Sequence, residues 1–363
     1  MSRFHRATCA LVFAFLILPS NVALTADPFW GADPAWNLIH EPAVERDLKL
    51  SPAKSRELRS LLDEFDARLF PLRHKPSEEA AKGVTEALDE LTKRLKAILS
   101  ESQFRRVAEI QARQQGTAAL LGPGLSSAMN YTPKQKEQLE HVISEALAAT
   151  KTLEQRAANG EPREPLEKQY AALKRDEHEK VTALLTPVQK SVWQKSLGRD
   201  FDLKKLGHAR FKAPELVDSG EWLNSEPLTL KSLAGNVVVL HFYDFGCINC
   251  IRNYPTYLDW HERFRDKNVA IIGIHTPETA AGEDSATVRK KAEEAAFGFP
   301  IVIDAAKSNW NAWGNSMWPS VYLIDKRGYL RHFWPGELKW QGATGDVWMR
   351  EKIEDLLAEP DAP

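Results

Sequence analysis

The sequence is poor in cysteine, with three in 363 residues. So few cysteines exclude a small scaffold that is held together by disulfides. An excess of either charge is also lacking, because 48 Lys and Arg residues face 50 Asp and Glu residues and leave a formal net charge of −2. A nucleic-acid-binding protein needs a basic face, so we predict no nucleic-acid partner.

Several catalytic patterns are absent as well. The sequence contains no G-x-S-x-G, no P-loop and no Gly-rich dinucleotide fingerprint. His178-Glu179 and His261-Glu262 begin like zinc-protease motifs, but neither has a second His at the required spacing. The chemistry of this chain therefore has to be sought in other residues.

The amino terminus is typical of an exported protein. Arg3 and Arg6 precede an apolar run from Cys9 to Leu18, and small residues follow as far as Ala26. This order predicts a signal peptide over residues 1–26. The alternative is a membrane anchor, but the run is only about half of the ~20 residues that a transmembrane helix needs. We expect an exported protein, periplasmic or otherwise extracytoplasmic.

Cleavage of that signal would leave two cysteines, Cys247 and Cys250. A single close pair is not a structural framework, even in an exported protein. A disulfide across two intervening residues would also stabilise little, because the loop that it closes is very small. We predict that these two sulfurs are kept for chemistry.

Residues 44–206 are predicted to be a helical domain, which follows a linker over residues 27–43. Apolar residues recur at helical spacing and charged residues fill the other faces. The recurring apolar residues are Leu58, Leu61, Leu62, Phe65 and Leu69, and then Ala87, Leu91, Leu95 and Ile98.

A short phrase returns four times in this region, as Leu50-Ser51-Pro52, Leu99-Ser100-Glu101-Ser102-Gln103, Tyr131-Thr132-Pro133-Lys134-Gln135 and Leu185-Thr186-Pro187-Val188-Gln189. Each copy predicts a helix start, because Ser or Thr caps free N–H groups, Pro suits the first turn and Gln closes a capping box. The copies form two pairs of similar spacing. We infer a duplicated helical unit, over about 44–122 and 129–200.

The phrase resembles the Leu-Thr-x-x-Gln signature of Spy- and CpxP-type helical stress proteins. That resemblance implies a chaperone-like module that binds unfolded proteins. The equally open alternative is a helical spacer or dimerisation module, since short cap-driven patterns occur in many helices.

The hydrophobic pattern of the sequence changes near residue 207, where short apolar runs replace the helical spacing. Four apolar runs read as buried strands: Val237-Val238-Val239-Leu240, Val269-Ala270-Ile271-Ile272, Ile301-Val302-Ile303 and Val321-Tyr322-Leu323-Ile324. Helical segments are expected around 249–265, 285–297 and 345–358. The chain is therefore predicted to be multidomain, with an all-helical module followed by an α/β domain over residues 207–363.

The Cys-x-x-Cys motif lies where the first of these strands runs into a helix. At that junction Cys247 would occupy the helix N-terminus, where unpaired N–H groups and the helix dipole favour a thiolate. Cys250 would lie one turn further on, where it is able to attack a mixed disulfide formed by Cys247.

Residues 209–358 resemble the thioredoxin fold, in particular the TlpA-like exported thiol–disulfide oxidoreductases and the thioredoxin domain of DipZ-type proteins. The residues that carry the resemblance are Ala213-Pro214-Glu215-Leu216, Leu240-His241-Phe242-Tyr243, Cys247-Ile248-Asn249-Cys250, Trp260-His261-Glu262, Gly273-Ile274-His275-Thr276-Pro277-Glu278 and Trp318-Pro319-Ser320-Val321-Tyr322-Leu323-Ile324-Asp325. The α/β domain is thus expected to be thioredoxin-like.

The resemblance implies the following roles. Cys247 is the attacking nucleophile and Cys250 the resolving thiol, so the only redox group is the Cys247–Cys250 disulfide and no cofactor is expected. Pro319 is expected to be a cis-proline facing the pair, with an ordinary trans proline as the alternative.

Four further residues are candidates for the site. Phe245, Gly246 and Trp318 are expected to contact substrate, with Trp318 presenting its backbone to an extended peptide. His241 stands where many thioredoxins have a buried carboxylate, so it either moves protons for Cys250 or is a core histidine with a satisfied hydrogen bond.

The expected function is thiol–disulfide exchange, with reduction favoured over oxidation. The expected partners are disulfide-containing exported proteins and a membrane electron donor of the DsbD or CcdA kind. Two alternatives stay open: metal binding or copper delivery through Cys247, Cys250 and His275, and a binding protein whose helical domain does the work. A thiol peroxidase is disfavoured, because Asp244 stands where its Thr is expected.

Overall fold

The computed structural model describes residues 34–360 apart from 76, 159–160, 207–208, 210 and 219–220. The predicted signal peptide, residues 1–26, lies outside the described residues. Within them, residues 34–39 of the predicted linker form a helix that buries Trp36 and Leu38. In the same part of the chain, no helix combines the length and the apolar character needed to cross a membrane.

The α-helices of the described chain are α1 (Pro34–Ile39), α2 (Pro42–Asp47), α3 (Pro52–Leu69), α4 (Ser77–Ile98), α5 (Glu101–Gln115), α6 (Pro123–Met129), α7 (Pro133–Ala158), α8 (Arg163–Leu184), α9 (Pro187–Ser196), α10 (Ile248–Phe264), α11 (Ser285–Glu294), α12 (Ser308–Ala312) and α13 (Gly345–Ala358). The strands are β1 (Phe211–Lys212), β2 (Glu221–Leu223), β3 (Val237–Tyr243), β4 (Val269–His275), β5 (Ile301–Ile303), β6 (Ser320–Ile324) and β7 (Tyr329–Pro335).

These elements form two compact units, and the first is helical. It consists of Pro34–Lys49 and Leu99–His208. Its longest helices, α7 and α8, pack against each other. The apolar side chains of this pair meet those of α9 in one core, whose fully or nearly fully buried members include Leu120, Leu139, Ile143, Val181 and Trp193.

The repeated phrase caps helices as predicted. Ser100 and Thr186 each accept a hydrogen bond from the backbone N–H three residues on. The side-chain oxygen of the Gln at that position accepts the backbone N–H of the cap in turn, so both capping boxes are complete. Thr132 also caps its helix, through the N–H of Gln135. The Gln135 side-chain oxygen, which would close a box there, instead accepts the Gln189 amide at 3.0 Å.

The same contact recurs in both halves of the helical region. The Gln103 amide donates to the Leu48 carbonyl, which lies three residues before the Ser51 cap, at 2.9 Å. The Gln189 amide donates to the Met129 carbonyl, which lies three residues before the Thr132 cap, also at 2.9 Å. In each case the amide of a capping-box Gln bonds to a carbonyl three residues before another copy of the phrase.

Replacing Gln189 with alanine is expected to loosen α9. The change removes half of a capping box and leaves the Met129 carbonyl without its donor, a loss of about 2 kcal/mol. Amide hydrogen exchange along α9 should become about 30-fold faster. The matched control is Gln194→Ala, an exposed position on the same helix, and equal exchange in the two variants would contradict this account.

The second compact unit contains the sheet. Its strands follow the order β1-β7-β6-β3-β4-β5-β2, with β3, β4 and β5 parallel to one another and the remaining pairs antiparallel. All four strands expected from the apolar runs are present, as β3 to β6. The helices predicted around 249–265, 285–297 and 345–358 are also present, as α10, α11 and α13.

The central strand β3 is buried on both faces. Val237, Val239 and Tyr243 belong to a core that α10 and α13 cover. The alternate residues Val238, Leu240 and Phe242 belong to the opposite core, which contains Trp310 and Trp313. This burial explains the continuous apolar run and places the carboxyl end of β3 rigidly at one edge of the sheet.

The α3–α4 hairpin belongs to this second unit, which consists of Leu50–Ile98 and Ala209–Pro363. The carboxylate of buried Asp66 accepts the backbone N–H of Lys212 at 2.6 Å, so it satisfies a donor on the edge strand β1. Phe70 is fully buried in the core of Trp313. The compact units thus differ from the predicted domains, because part of the helical sequence completes the core of the α/β unit.

Candidate active site

The two cysteines lie at the junction of β3 and α10. Cys247 is the N-cap of α10 and Cys250 lies in its first turn. The turn before them is closed by a hydrogen bond of 3.2 Å from the Cys247 N–H to the Asp244 carbonyl. Cys247 is 7% exposed and Cys250 is fully buried, and both are free thiols. This is the placement that the sequence predicted.

The two thiols differ in acidity. A hydrogen bond from Cys250 lowers the pKa of Cys247, although burial and the Glu278 carboxylate oppose that effect. Burial, followed by the hydrogen bond to Cys247, raises the pKa of Cys250 far above its ordinary value. Cys247 is therefore the sulfur that ionises first, while Cys250 holds its proton.

Asp244 joins the turn before Cys247 to the loop that follows β4. Its buried carboxylate accepts the N–H of Gly246 at 3.2 Å and the N–H of Glu278 at 2.9 Å, and it lies 3.2 Å from Nε2 of His275. Burial favours the neutral acid, but these hydrogen bonds, that of His275 first, hold the pKa of Asp244 below its usual value. Asp244 and His275 together thus hold the turn before Cys247 against the loop after β4.

The bond between Trp318 and Pro319 is cis, as predicted. It directly precedes β6, whose Ser320 pairs with Phe242 of β3, so it lies at the same edge of the sheet as Cys247. The Trp318 indole donates to the Thr276 carbonyl at 3.0 Å and stacks on Trp310 at 3.8 Å between ring centroids. Trp318 is therefore held in a fixed position beside the site.

Phe245 and Gly246, the other two residues expected to contact substrate, differ in exposure. The Phe245 ring is partly buried and stacks on His275, with 5.2 Å between the ring centroids. Gly246, directly before Cys247, is exposed. Of these two residues, Gly246 is the exposed one, and its N–H already donates to Asp244.

His241 is fully buried in β3 and stacks on Tyr257 of α10 at 3.9 Å between ring centroids. Burial lowers its pKa to about 3, so the ring is neutral and a weak base. Neither ring nitrogen has a hydrogen-bond partner among the residues that the structure describes. His241 thus matches neither the predicted proton-transfer role nor the predicted core role fully. It lies in the core, but without the hydrogen bond expected of a core histidine.

Known proteins share this part of the chain. A model of the AhpC/TSA family matches residues 209–333. DipZ of Mycobacterium bovis is 39% identical over 128 residues, which are 34% of this chain and 18% of DipZ. The thiol-disulfide oxidoreductase YkuV of Bacillus subtilis is 25% identical over 146 residues, which are 40% of this chain and 94% of YkuV.

A further relative decides the family. The thiol-disulfide oxidoreductase ResA of Geobacillus thermodenitrificans is 30% identical over 126 residues, which are 35% of this chain and 68% of ResA. This chain belongs to the thioredoxin-like thiol–disulfide oxidoreductases. The resemblance read from the sequence and the α/β fold expected from it are confirmed. The chain spans about a fifth of the length of DipZ, the relative of highest identity among those named here.

Two residues at the site carried no clear signal in the sequence: Glu278 and Asn253. Glu278 follows β4 in the sequence, and its N–H donates to Asp244, in the turn before Cys247, at 2.9 Å. Asn253 of α10 accepts the N–H of Leu338 at 2.8 Å and so ties the active-site helix to the loop after β7. The order of β3 and β4 carried only an indirect signal for Glu278, because the loops that follow adjacent parallel strands meet at one edge of the sheet.

The metal-binding alternative would use His275 with the two cysteines. In the part of the chain that the structure describes, no three His, Cys, Asp or Glu side chains are grouped closely enough to hold a metal ion. His275 is fully buried and lies against Asp244. In the site, His275 acts with Asp244 to hold the turn before Cys247 against the loop after β4.

Proposed function

We propose that this protein is an exported enzyme that reduces disulfides of other exported proteins through Cys247 and Cys250. The observation that carries the proposal is the pair itself: two free thiols at the junction of β3 and α10, with Cys247 as the N-cap of the helix and Cys250 fully buried in its first turn. Cys247 is thus suited to attack a substrate disulfide, and Cys250 to resolve the mixed disulfide that forms.

The reaction consumes the dithiol. The Cys247 sulfur attacks one sulfur of a substrate disulfide, and the other substrate sulfur leaves and is protonated. The Cys250 sulfur then attacks Cys247, releases the second substrate thiol and leaves a Cys247–Cys250 disulfide. Two electrons and two protons pass to the substrate in total.

The surroundings of Cys247 favour reduction over oxidation. A strong oxidant has a strongly stabilised thiolate, which makes its reduced form stable. Here the Glu278 carboxylate opposes the Cys247 thiolate and Asp244 opposes a charge on Cys250. These two carboxylates limit the stabilisation of the reduced pair that the hydrogen bond from Cys250 provides, which supports reduction as the direction of the reaction.

Exposed apolar side chains next to the site in sequence suit a protein substrate. Ile248 follows Cys247 and is 58% exposed, and Met317 precedes Trp318 and is 44% exposed. Contiguous exposed apolar surface marks places where other chains bind, and these two side chains would contribute to such a surface beside the pair. An oxidising compartment would require the pair to be reduced again, so we include a membrane electron donor of the DsbD or CcdA kind in the proposal.

A redox titration tests this function. The purified protein is equilibrated in glutathione buffers, its thiols are trapped, and the product is read by intact mass. We expect a reversible transition of two thiols with a midpoint near or below about −220 mV. A midpoint near about −120 mV would reverse the direction of the reaction. The absence of any reversible transition would overturn the proposal.

A further inference from the structure

The backbone of Cys247 is bonded to different parts of the fold on its two sides. On the helix side, the Cys247 carbonyl accepts the N–H of Ile251 at 3.0 Å, which belongs to α10. On the strand side, the Cys247 N–H donates to the Asp244 carbonyl at 3.2 Å and closes the turn that follows β3. The groups that hold this turn therefore set where the Cys247 sulfur lies relative to Cys250.

The Asp244 carboxylate bonds that turn to the loop after β4. One oxygen accepts the Gly246 N–H at 3.2 Å and lies 3.2 Å from Nε2 of His275. The other oxygen accepts the N–H of Glu278 at 2.9 Å. Gly282 packs directly on the same group, because a Cβ there would stand 2.7 Å from the oxygen that faces His275. A single buried carboxylate thus holds both segments.

His275, at the end of β4, completes this arrangement. Its ring is fully buried, and Nδ1 has no hydrogen-bond partner among the residues that the structure describes, so Nε2 makes the polar contacts. Nε2 lies 3.2 Å from the Asp244 carboxylate and 3.4 Å from the backbone nitrogen of Phe245. The shorter contact places the ring proton on Nε2, from which it donates to the carboxylate.

We propose that Asp244 is a positioning residue for the second step of disulfide reduction, in which Cys250 attacks Cys247. The proposal deepens the proposed function and rests on it. In that step Cys250 gives its proton to water and its sulfur bonds to that of Cys247. The bond between Cys247 and the substrate breaks, and the substrate sulfur leaves with the electron pair and takes a proton from water. Asp244 acts on this step through the backbone that carries Cys247.

The second step is sensitive to the turn because the two sulfurs have different supports. Cys250 is fully buried in the first turn of α10, whereas Cys247 is the N-cap that joins the helix to the turn. A displaced turn moves the Cys247 sulfur relative to Cys250, and a misplacement of about 1 Å costs up to about a hundredfold in rate. The first step is less demanding, because a free substrate disulfide can follow the displaced sulfur.

The charge of Asp244 would have the opposite effect on the rates. A carboxylate close to a thiol opposes the thiolate, since like charges raise the pKa of the thiol. If Asp244 acted by its charge alone, removing that charge would make both steps faster. A positioning role instead requires the second step to become slower when the carboxylate is lost.

The experiment compares the reduced wild type with Asp244→Asn in the full chain, with an excess of dithionitrobenzoate as the substrate. The attack of Cys247 releases one aryl thiolate and the attack of Cys250 releases the second, so stopped-flow absorbance separates the two steps. Asparagine has one acceptor oxygen instead of two and turns an amide donor toward other donors. We expect a first step at least as fast as in the wild type and a second step about tenfold slower.

Two changes at His275 separate the contact from the charge. His275→Leu removes the donor but keeps the carboxylate, so it should also slow the second step about tenfold without making the first step faster. His275→Gln should restore most of the second-step rate, because its amide N–H can replace the Nε2–H. This pair of variants decides the question even if Asp244→Asn does not fold.

The matched control is Asp325→Asn. Asp325 is also a buried carboxylate, and it accepts the backbone N–H groups of Arg327 and Tyr329, each at 3.0 Å. It follows the end of β6 that is remote from Pro319, so its loss should lower stability and leave both steps unchanged. If Asp325→Asn slows the second step as much as Asp244→Asn does, a general loss of stability explains both and the proposal is overturned.

Three other results would also overturn the proposal. A faster second step in Asp244→Asn would mean that Asp244 acts by its charge. An unchanged second step would mean that the turn does not depend on the carboxylate, and equal slowing of both steps would mean that the effect is not specific to the attack by Cys250. A wild type that releases no aryl thiolate would overturn the proposed function itself, before any variant is compared.

Discussion

Replacing Cys247 with alanine is expected to reduce disulfide-reductase activity to the background rate, a loss of at least about a thousandfold. The reason is positional, because Cys247 is the thiol at the start of α10, while Cys250 is fully buried one turn below. A buried thiol of raised pKa supplies almost no thiolate and has no access to a substrate disulfide. Turnover of a disulfide peptide measures the loss.

The matched variant is Cys250→Ala, which should fail at a different step. Cys247 still attacks, but no second thiol releases the mixed disulfide, so the protein accumulates covalently joined to its substrate. Intact mass under non-reducing conditions detects that adduct. Full activity in Cys247→Ala, or an adduct in that variant rather than in Cys250→Ala, would contradict the assigned order of attack.

The second large effect expected is a loss of stability in acid, caused by His241. The pKa of this buried ring is about 3 in the folded protein, against about 6.5 in an unfolded chain. As the pH falls below 6.5, the unfolded state binds a proton that the folded state does not. Stability is therefore complete above pH 6.5 and falls by about 1.4 kcal/mol per pH unit, roughly 4 kcal/mol in all by pH 3.

His241→Leu isolates this contribution from that of the carboxylates. Denaturant unfolding at pH 7, 5.5 and 4 should show a shallower fall in the free energy of unfolding for the variant than for the wild type. Leucine also removes two ring nitrogens that lack a partner among the described residues, so the variant should fold at neutral pH. His141→Leu, at a side chain that is 70% exposed, should keep the wild-type slope. Equal slopes in all three proteins would contradict the argument.

Much of the site was predictable because its key contacts are local. Cys247 and Cys250 follow the end of a buried strand directly, so the motif alone indicated a helix N-terminus with Cys247 at its start and Cys250 one turn on. The sequence also suggested an exposed first sulfur, but Cys247 is buried, at 7% exposure. The caps at Ser100 and Thr186 were predictable for the same reason, since each box joins residues three positions apart. Patterns of this kind can be recognised in the sequence without knowledge of the fold.

His241 shows where local reasoning ends. The sequence placed it correctly on β3, near the cysteines, but its neighbours Tyr257 and Phe299 come from other elements. Those rings bury it without offering a hydrogen bond, which decides that the histidine is neutral. Its chemistry was thus set by residues whose proximity no periodic pattern reveals.

By itself, the sequence determined the helical and α/β segments, the family, and the two cysteines at the start of a helix, because periodicity, caps and motif spacing act over a few neighbouring residues. The tertiary structure alone decided that Asp66 and Phe70 of the helical segment complete the α/β unit. It also decided that the N–H of Glu278, in the loop after β4, bonds to Asp244 in the turn before Cys247. These contacts join residues far apart in the chain, and only the path of the folded backbone brings them together.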